Sequence, residues 1–146
     1  MRASIFLLGG LIALSSVTHA ATPSAQPVKI SKAEAEGTVF EGPTVIVHTR
    51  GDNTTRDRVI LNSSDKKLNS GMYKSGPSHF VTKGPYGVDE FMLFTSGSVT
   101  LTSTDGTVTQ LKAGDAVTLP AEWEGTWDSP GYTKYYVIYD RKEKQP

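Results

Sequence analysis

The 146-residue chain contains no cysteine. That absence excludes disulfides, thiolate chemistry and attachment of a lipid through an amino-terminal cysteine. An excess of charge is missing as well, because 15 Lys and Arg balance 15 Asp and Glu. The basic footprint of a nucleic-acid-binding protein is therefore lacking. Histidine is scarce, with three in all, at positions 19, 48 and 79. There is no phosphate-cradling glycine loop and no nucleophile elbow, so nucleotide-binding and serine-hydrolase readings find no support. Beyond the first twenty residues no stretch shows sustained helical periodicity.

The first twenty residues have a composition of their own. Met1-Arg2 is a short positive start, Ile5 to Leu14 is apolar except for Gly9 and Gly10, and Thr18-His19-Ala20 offers small residues around a cleavage point. This pattern predicts a secretory signal peptide over 1–20, removed after Ala20, and so a secreted or periplasmic protein. The apolar run is too short for a membrane span, which needs about 20 residues, so no span is expected after cleavage. Residues 21–38, rich in Ala, Thr, Pro, Ser, Lys and Glu, predict a flexible, disordered tether. One domain is expected over 39–141, and 142–146 is a charged tail.

From Val39 onward the chain alternates between strand and turn signals. Thr44–Thr49 is β-branched and is closed by Arg50-Gly51-Asp52-Asn53. Val59–Leu61 and Gly71–Lys74 are further short strands. Ser98–Ser103 and Thr107–Leu111 flank Thr104-Asp105-Gly106, where Asp-Gly supplies the backbone angles of a tight hairpin. Ala116–Leu119 and Tyr132–Tyr139 complete the set, with Gly76-Pro77 and Ser129-Pro130-Gly131 as punctuation. Many short strands with regular turns predict an all-β sandwich or closed barrel.

Between Asn69 and Tyr139, specific residues stand in a characteristic order: Gly71, Asp89-Glu90-Phe91, Gly97, Asp105-Gly106, Gly114-Asp115, Pro120, Gly125-Thr126-Trp127 and Lys134-Tyr135-Tyr136. In order and spacing they resemble the two motifs of small single-domain cupins of the ureidoglycine aminohydrolase cupin-domain type. The resemblance implies an RmlC-like jelly-roll β-barrel, the double-stranded β-helix, with a central cavity. It also implies a homodimer. The family's usual metal pattern has two histidines just before the glutamate and a third five residues after the proline. Here the glutamate is Glu90, the preceding positions are Gly84 and Tyr86 or Lys83 and Pro85, and the later position is Gly125. Of the four ligands only Glu90 is present, so no cofactor is predicted. A rearranged divalent-metal site of His48, His79 and Glu90 is the alternative.

Glu90 stands in alternation with Met92 and Phe94, which would aim it into an apolar cavity as a general acid or base. Its other reading is structural, as the partner of an inward cation, with Lys134 as the candidate. Trp123, Trp127, Tyr132, Tyr135, Tyr136 and Tyr139 crowd the last part of the domain. Such rings fill barrels, and they also make apolar walls with polar handles for small ligands. Tyr86, Trp123, Trp127 and Tyr136, with Lys134 and His79, are the candidate ligand-binding residues. Three functions follow: an exported barrel that binds a small organic molecule, an enzyme (isomerase, lyase or amidohydrolase-like) using Glu90 as acid or base, or a structural or protein-interaction module.

Overall fold

A computed structural model of the chain describes residues 26–141. The signal peptide read over 1–20 and the tail at 142–146 lie outside the described residues. The elements in chain order are α1 (Lys32–Ala35), a 3₁₀ turn (Thr38–Phe40), β1 (Ile46–Arg50), β2 (Asn53–Asn62), β3 (Leu68–Ser75), β4 (Ser78–Val81), β5 (Asp89–Ser103), β6 (Val108–Lys112), β7 (Ala116–Leu119) and β8 (Gly125–Tyr139). The strands form a single sheet ordered β1-β2-β3-β8-β5-β6, with β4 also paired to β8 and β7 also paired to β5.

Two fifteen-residue strands make this one sheet into a barrel. Along one edge of β8, residues 126–129 pair with β4 and residues 132–139 pair with β3. Its other edge pairs with β5 from Gly125 to Tyr139. β5 likewise gives Glu90–Leu93 to β7 and Ser98–Thr102 to β6. Both long strands therefore belong to both halves of the molecule, and both must bend in the middle. The bend is marked by register shifts between Phe94 and Ser96 and between Ser98 and Thr100. It is made by Gly97, whose φ is 74°. A Cβ on Gly97 would stand 2.0 Å from the Gly131 carbonyl oxygen, so the corner requires two backbones in contact where no side chain fits. The result is the jelly-roll barrel expected from the sequence.

The bend encloses the core. Met92, Phe94, Val99, Leu101, Leu111, Leu119, Trp127 and Tyr132 are buried together between the two halves. Alternation along β5 puts Phe91, Leu93 and Thr95 on the opposite, outer face. A second cluster lies on that outer face, where Ala35 and Phe40 cover Met72, with Ile30, Val39 and Tyr135 around them.

The stretch read from composition as a tether meets the barrel here, at its last residues. Ser31 caps α1 in a capping box, its hydroxyl accepting from the Glu34 amide at 3.2 Å and the Glu34 carboxylate accepting from the Ser31 amide at 2.7 Å. The composition of this stretch is polar, but the apolar residues that anchor it, Ile30, Ala35, Val39 and Phe40, are spread over eleven positions, too sparsely to register as a period. The other differences are smaller. β4 has no counterpart in the sequence reading, being four residues between turn signals. In the Asp105-Gly106 hairpin only Gly106 takes positive φ, at 85°, and the Asp105 carboxylate accepts from the Thr107 amide at 2.9 Å.

The corner yields a comparison of two glycines. A Cβ on Gly106 meets nothing within 4 Å, so Gly106→Ala is expected to cost only the left-handed strain of about 1–2 kcal/mol. Gly97→Ala adds a backbone collision to the same strain and is expected to cost about 3 kcal/mol or more. Urea denaturation of the two variants decides it, and equal costs would show that the corner is not sterically closed.

Candidate functional site

The inner face of the bent sheet carries an internal polar cluster, and strand register explains how it assembles. Opposite residues of an antiparallel pair share a face. Asp57 pairs with Tyr73, Tyr73 with Lys134, and Lys134 with Phe94, which makes one inward row across β2, β3, β8 and β5. The neighbouring row is Val59, Gly71, Tyr136 and Met92. A Cβ on Gly71 would lie 2.8 Å from the Tyr136 hydroxyl oxygen. The missing side chain is what lets the Tyr136 ring lie across β3 and donate to Asp57 Oδ1 at 2.9 Å. Glu90 belongs to a third row with Asn69 and Ile138.

At the centre, Lys134 Nζ donates to Glu90 Oε1 at 2.7 Å, and the two side chains are 7% and 2% exposed. Tyr86 donates its phenol proton to Glu90 Oε2 at 2.6 Å. The carboxylate is therefore held at both oxygens. The ammonium is less well provided for: its further contact is Met92 Sδ at 3.1 Å. Around it stand the rings of Trp127, Tyr73 and Tyr132, with centroids 5.4, 5.7 and 5.9 Å away, within cation–π range. Burial lowers the Lys134 pKa, and the charge and hydrogen bond of Glu90 oppose that shift without cancelling it. Burial likewise raises the Asp57 carboxyl, opposed by the Tyr136 hydrogen bond and the Lys134 charge. The Tyr86, Tyr132 and Tyr136 phenols are all pushed far above their ordinary value, first by burial and then by neighbouring acidic groups.

These groups line a cavity of about 500 Å³, partly open to solvent. Its aromatic wall is Tyr73, Phe80, Tyr86, Trp127 and Tyr132, and the polar groups that share the lining with these rings include Asp57, Glu90, Lys134 and Tyr136. Phe80 stacks on Trp127 with centroids 5.7 Å apart and planes 14° apart. The Trp127 Nε1–H is buried and has no acceptor among the described residues. Such a donor is costly to leave unpaired.

Four of the six expected ligand-binding residues, Tyr86, Trp127, Lys134 and Tyr136, meet here with Glu90. Trp123 and His79 do not. Trp123 stands behind the wall, edge-on to Tyr86 at 6.2 Å with its indole N–H donated to Ser103 at 3.0 Å, so it supports Tyr86 and does not face the cavity. His79 precedes Phe80 on β4, and alternation turns it outward, where its Nδ1 contacts Asp128. It lines a different, open groove of about 1010 Å³ with Arg50, Asp52 and Pro77. That groove is larger, but its His79–Asp128 contact faces water, whereas the buried ionisable groups converge in the smaller cavity.

His48 pairs with Thr55 on the exposed edge strand β1. His48 stands on this exposed edge, His79 on the outside of β4 and Glu90 in the cavity, and the rearranged metal triad is not assembled. Among the described residues no three His, Cys, Asp or Glu side chains converge on a common point. The residues at the family's ligand positions do not fit a divalent ion either, because the single carboxylate, Glu90, is already engaged by an ammonium and a phenol. Asp57, Tyr73, Phe80 and Tyr132 were not predicted as site residues. Asp57 sits in Thr54-Thr55-Arg56-Asp57-Arg58, which reads as a solvated charged run. Its alternation with Val59 is the signal that places it inward.

Comparisons with known proteins agree with this architecture. The family model described as the EutQ-like cupin domain matches residues 62–136. Among solved structures, a protein of unknown function from Pseudomonas syringae pv. tomato aligns with a TM-score of 0.58 at 19% identity, over 64% of this chain and 43% of that one. This chain thus spans less than half the length of that protein. The EutQ protein of Clostridium difficile aligns with a TM-score of 0.51 at 16% identity, over 77% of this chain and 81% of its own. An RmlC-like cupin from Shewanella frigidimarina aligns with a TM-score of 0.50 at 14% identity, over 68% and 86%. At these identities the structures speak to fold alone. No curated protein matches the chain in sequence.

The central pair gives a thermodynamic cycle. Removing one member of a buried ion pair strands the other, so Lys134→Met is expected to destabilise by about 3–5 kcal/mol. Adding Glu90→Gln to that variant should recover much of the loss, with a coupling energy on the order of 2 kcal/mol. Strictly additive effects in chemical denaturation would show that the two groups do not depend on each other.

Proposed function

This chain belongs to the EutQ-like cupin domain family, and we propose that its barrel binds a small organic molecule with a ring or short apolar body and one polar end. The observation that carries this reading is a cavity whose lining joins five aromatic rings to the paired Glu90 and Lys134. A volume of about 500 Å³ suits a small ligand, and apolar walls with a few placed polar groups are what such sites use to bind and orient one. The engagement of Glu90 by Lys134 and Tyr86 supports binding through organic contacts without a metal. The finer ureidoglycine likeness suggests ureides as one class to include.

The test is a thermal-shift screen of sugars, carboxylates, ureides and aromatic alcohols against the mature protein in a Trp123→Phe background, which leaves Trp127 as the reporting indole. A ring-bearing compound is expected to raise Tm and change Trp127 fluorescence together. At a hundredfold its Kd the stabilisation is about 2.7 kcal/mol. A screen in which no class shifts Tm or the indole signal would sink the reading.

The same proposal places the protein outside the cytoplasm, on the strength of Met1–Ala20. Fractionation should recover a chain beginning at Ala21 from the periplasm or medium, and an intact Met1 start in the cytoplasm would refute export.

A further inference from the structure

Lys134 is placed as a reactive amine as well as a counter-ion. Its Nζ has one strong acceptor, Glu90 Oε1, one weak one, Met92 Sδ, and three aromatic rings around the rest of its surface. An ammonium in water would hydrogen-bond through all three protons. Here the neighbour best able to take a proton is the carboxylate 2.7 Å away, whose second oxygen already accepts from Tyr86. The amine also lines the ligand cavity, so a molecule seated against the aromatic wall would present its polar end to Nζ.

We infer that Lys134 condenses with the carbonyl group of a small aldehyde or ketone held in this cavity, forming a protonated imine. The inference rests on the proposed ligand-binding reading and deepens it by naming the ligand's reactive group.

The step balances. The ammonium passes a proton to Glu90, and the freed lone pair forms an N–C bond at the carbonyl carbon while the C=O π bond opens. A second proton moves from nitrogen to the former carbonyl oxygen, giving a carbinolamine. Glu90 returns its proton to that hydroxyl, the C–O bond breaks and one water leaves as the N–C bond becomes double. The products are a cationic imine on Lys134, an ionised Glu90 and water, with nothing oxidised or reduced. The buried setting favours the step twice, because it depresses the pKa of the amine and shields the imine from hydrolysis. Glu90 would transfer the protons, and Tyr86 would hold it in position.

The full mature protein is treated at neutral pH with benzaldehyde or acetaldehyde, reduced with cyanoborohydride and mapped by peptide mass spectrometry. Labelling of Lys134 is expected to exceed that of exposed Lys29, Lys32 and Lys66 several-fold, because burial leaves more of its amine neutral and the cavity holds the aldehyde against it. Lys134→Arg keeps a cation beside Glu90 and should lose the adduct. Benzyl alcohol, which cannot condense, is tested in parallel by ligand-observed NMR. Benzyl alcohol binding without preferential labelling of Lys134 overturns the covalent inference and leaves the binding reading standing. Absence of both overturns both.

Discussion

Everything distinctive in this barrel is arranged around one ion pair taken out of water. Charges buried this deeply are a net cost unless each is closely matched, and Glu90 and Lys134 reach each other diagonally across β5 and β8 at 2.7 Å. The match is unequal. Glu90 is held at both oxygens, while Lys134 leans on a thioether and three rings for the rest of its environment. A scaffold that needed only a filled core would be served as well by apolar side chains here. The charged pair among these rings is the observation on which the proposed binding of a small organic molecule rests.

The geometry of that pair depends on the bend. β5 and β8 are the strands that carry the two groups, and each passes through both halves of the barrel. At Gly97 the backbones of the two strands touch, so the corner is fixed by contact between main chains. Trp127 and Tyr132, from the two sides of the bend in β8, can then both stand within 6 Å of Lys134. Outside the barrel, Arg141 pairs with Asp89, next to Glu90 on β5. Asp89 and Glu90 thus divide two tasks between neighbouring positions, the first outward and structural, the second inward and in the cavity.

Much of this was legible in the sequence because strand structure has a short period. Alternation through Glu90, Met92 and Phe94 aimed the glutamate inward, and Asp105-Gly106 and Gly114-Asp115 specified the turns between β5 and β7. The Glu90–Lys134 partnership was one of two open readings. What escaped depended on tertiary neighbours. Trp123 and Trp127 look alike in sequence, and only the bend shows that one faces the cavity and the other supports its wall. Asp57 was hidden between two arginines, and its place is fixed by pairing with Tyr73 on the next strand. His79 and Phe80 are adjacent, so a single step of register decides which of them lines the cavity.

The central claim is that Lys134 is a buried amine held beside Glu90 in the barrel cavity. The most direct measurement is the pH titration of the Lys134 side chain, followed by NMR on selectively labelled lysines and assigned with Lys134→Arg. The account predicts a midpoint clearly below the ordinary value near 10.5. A midpoint at the ordinary value, shared with the exposed lysines, would contradict it.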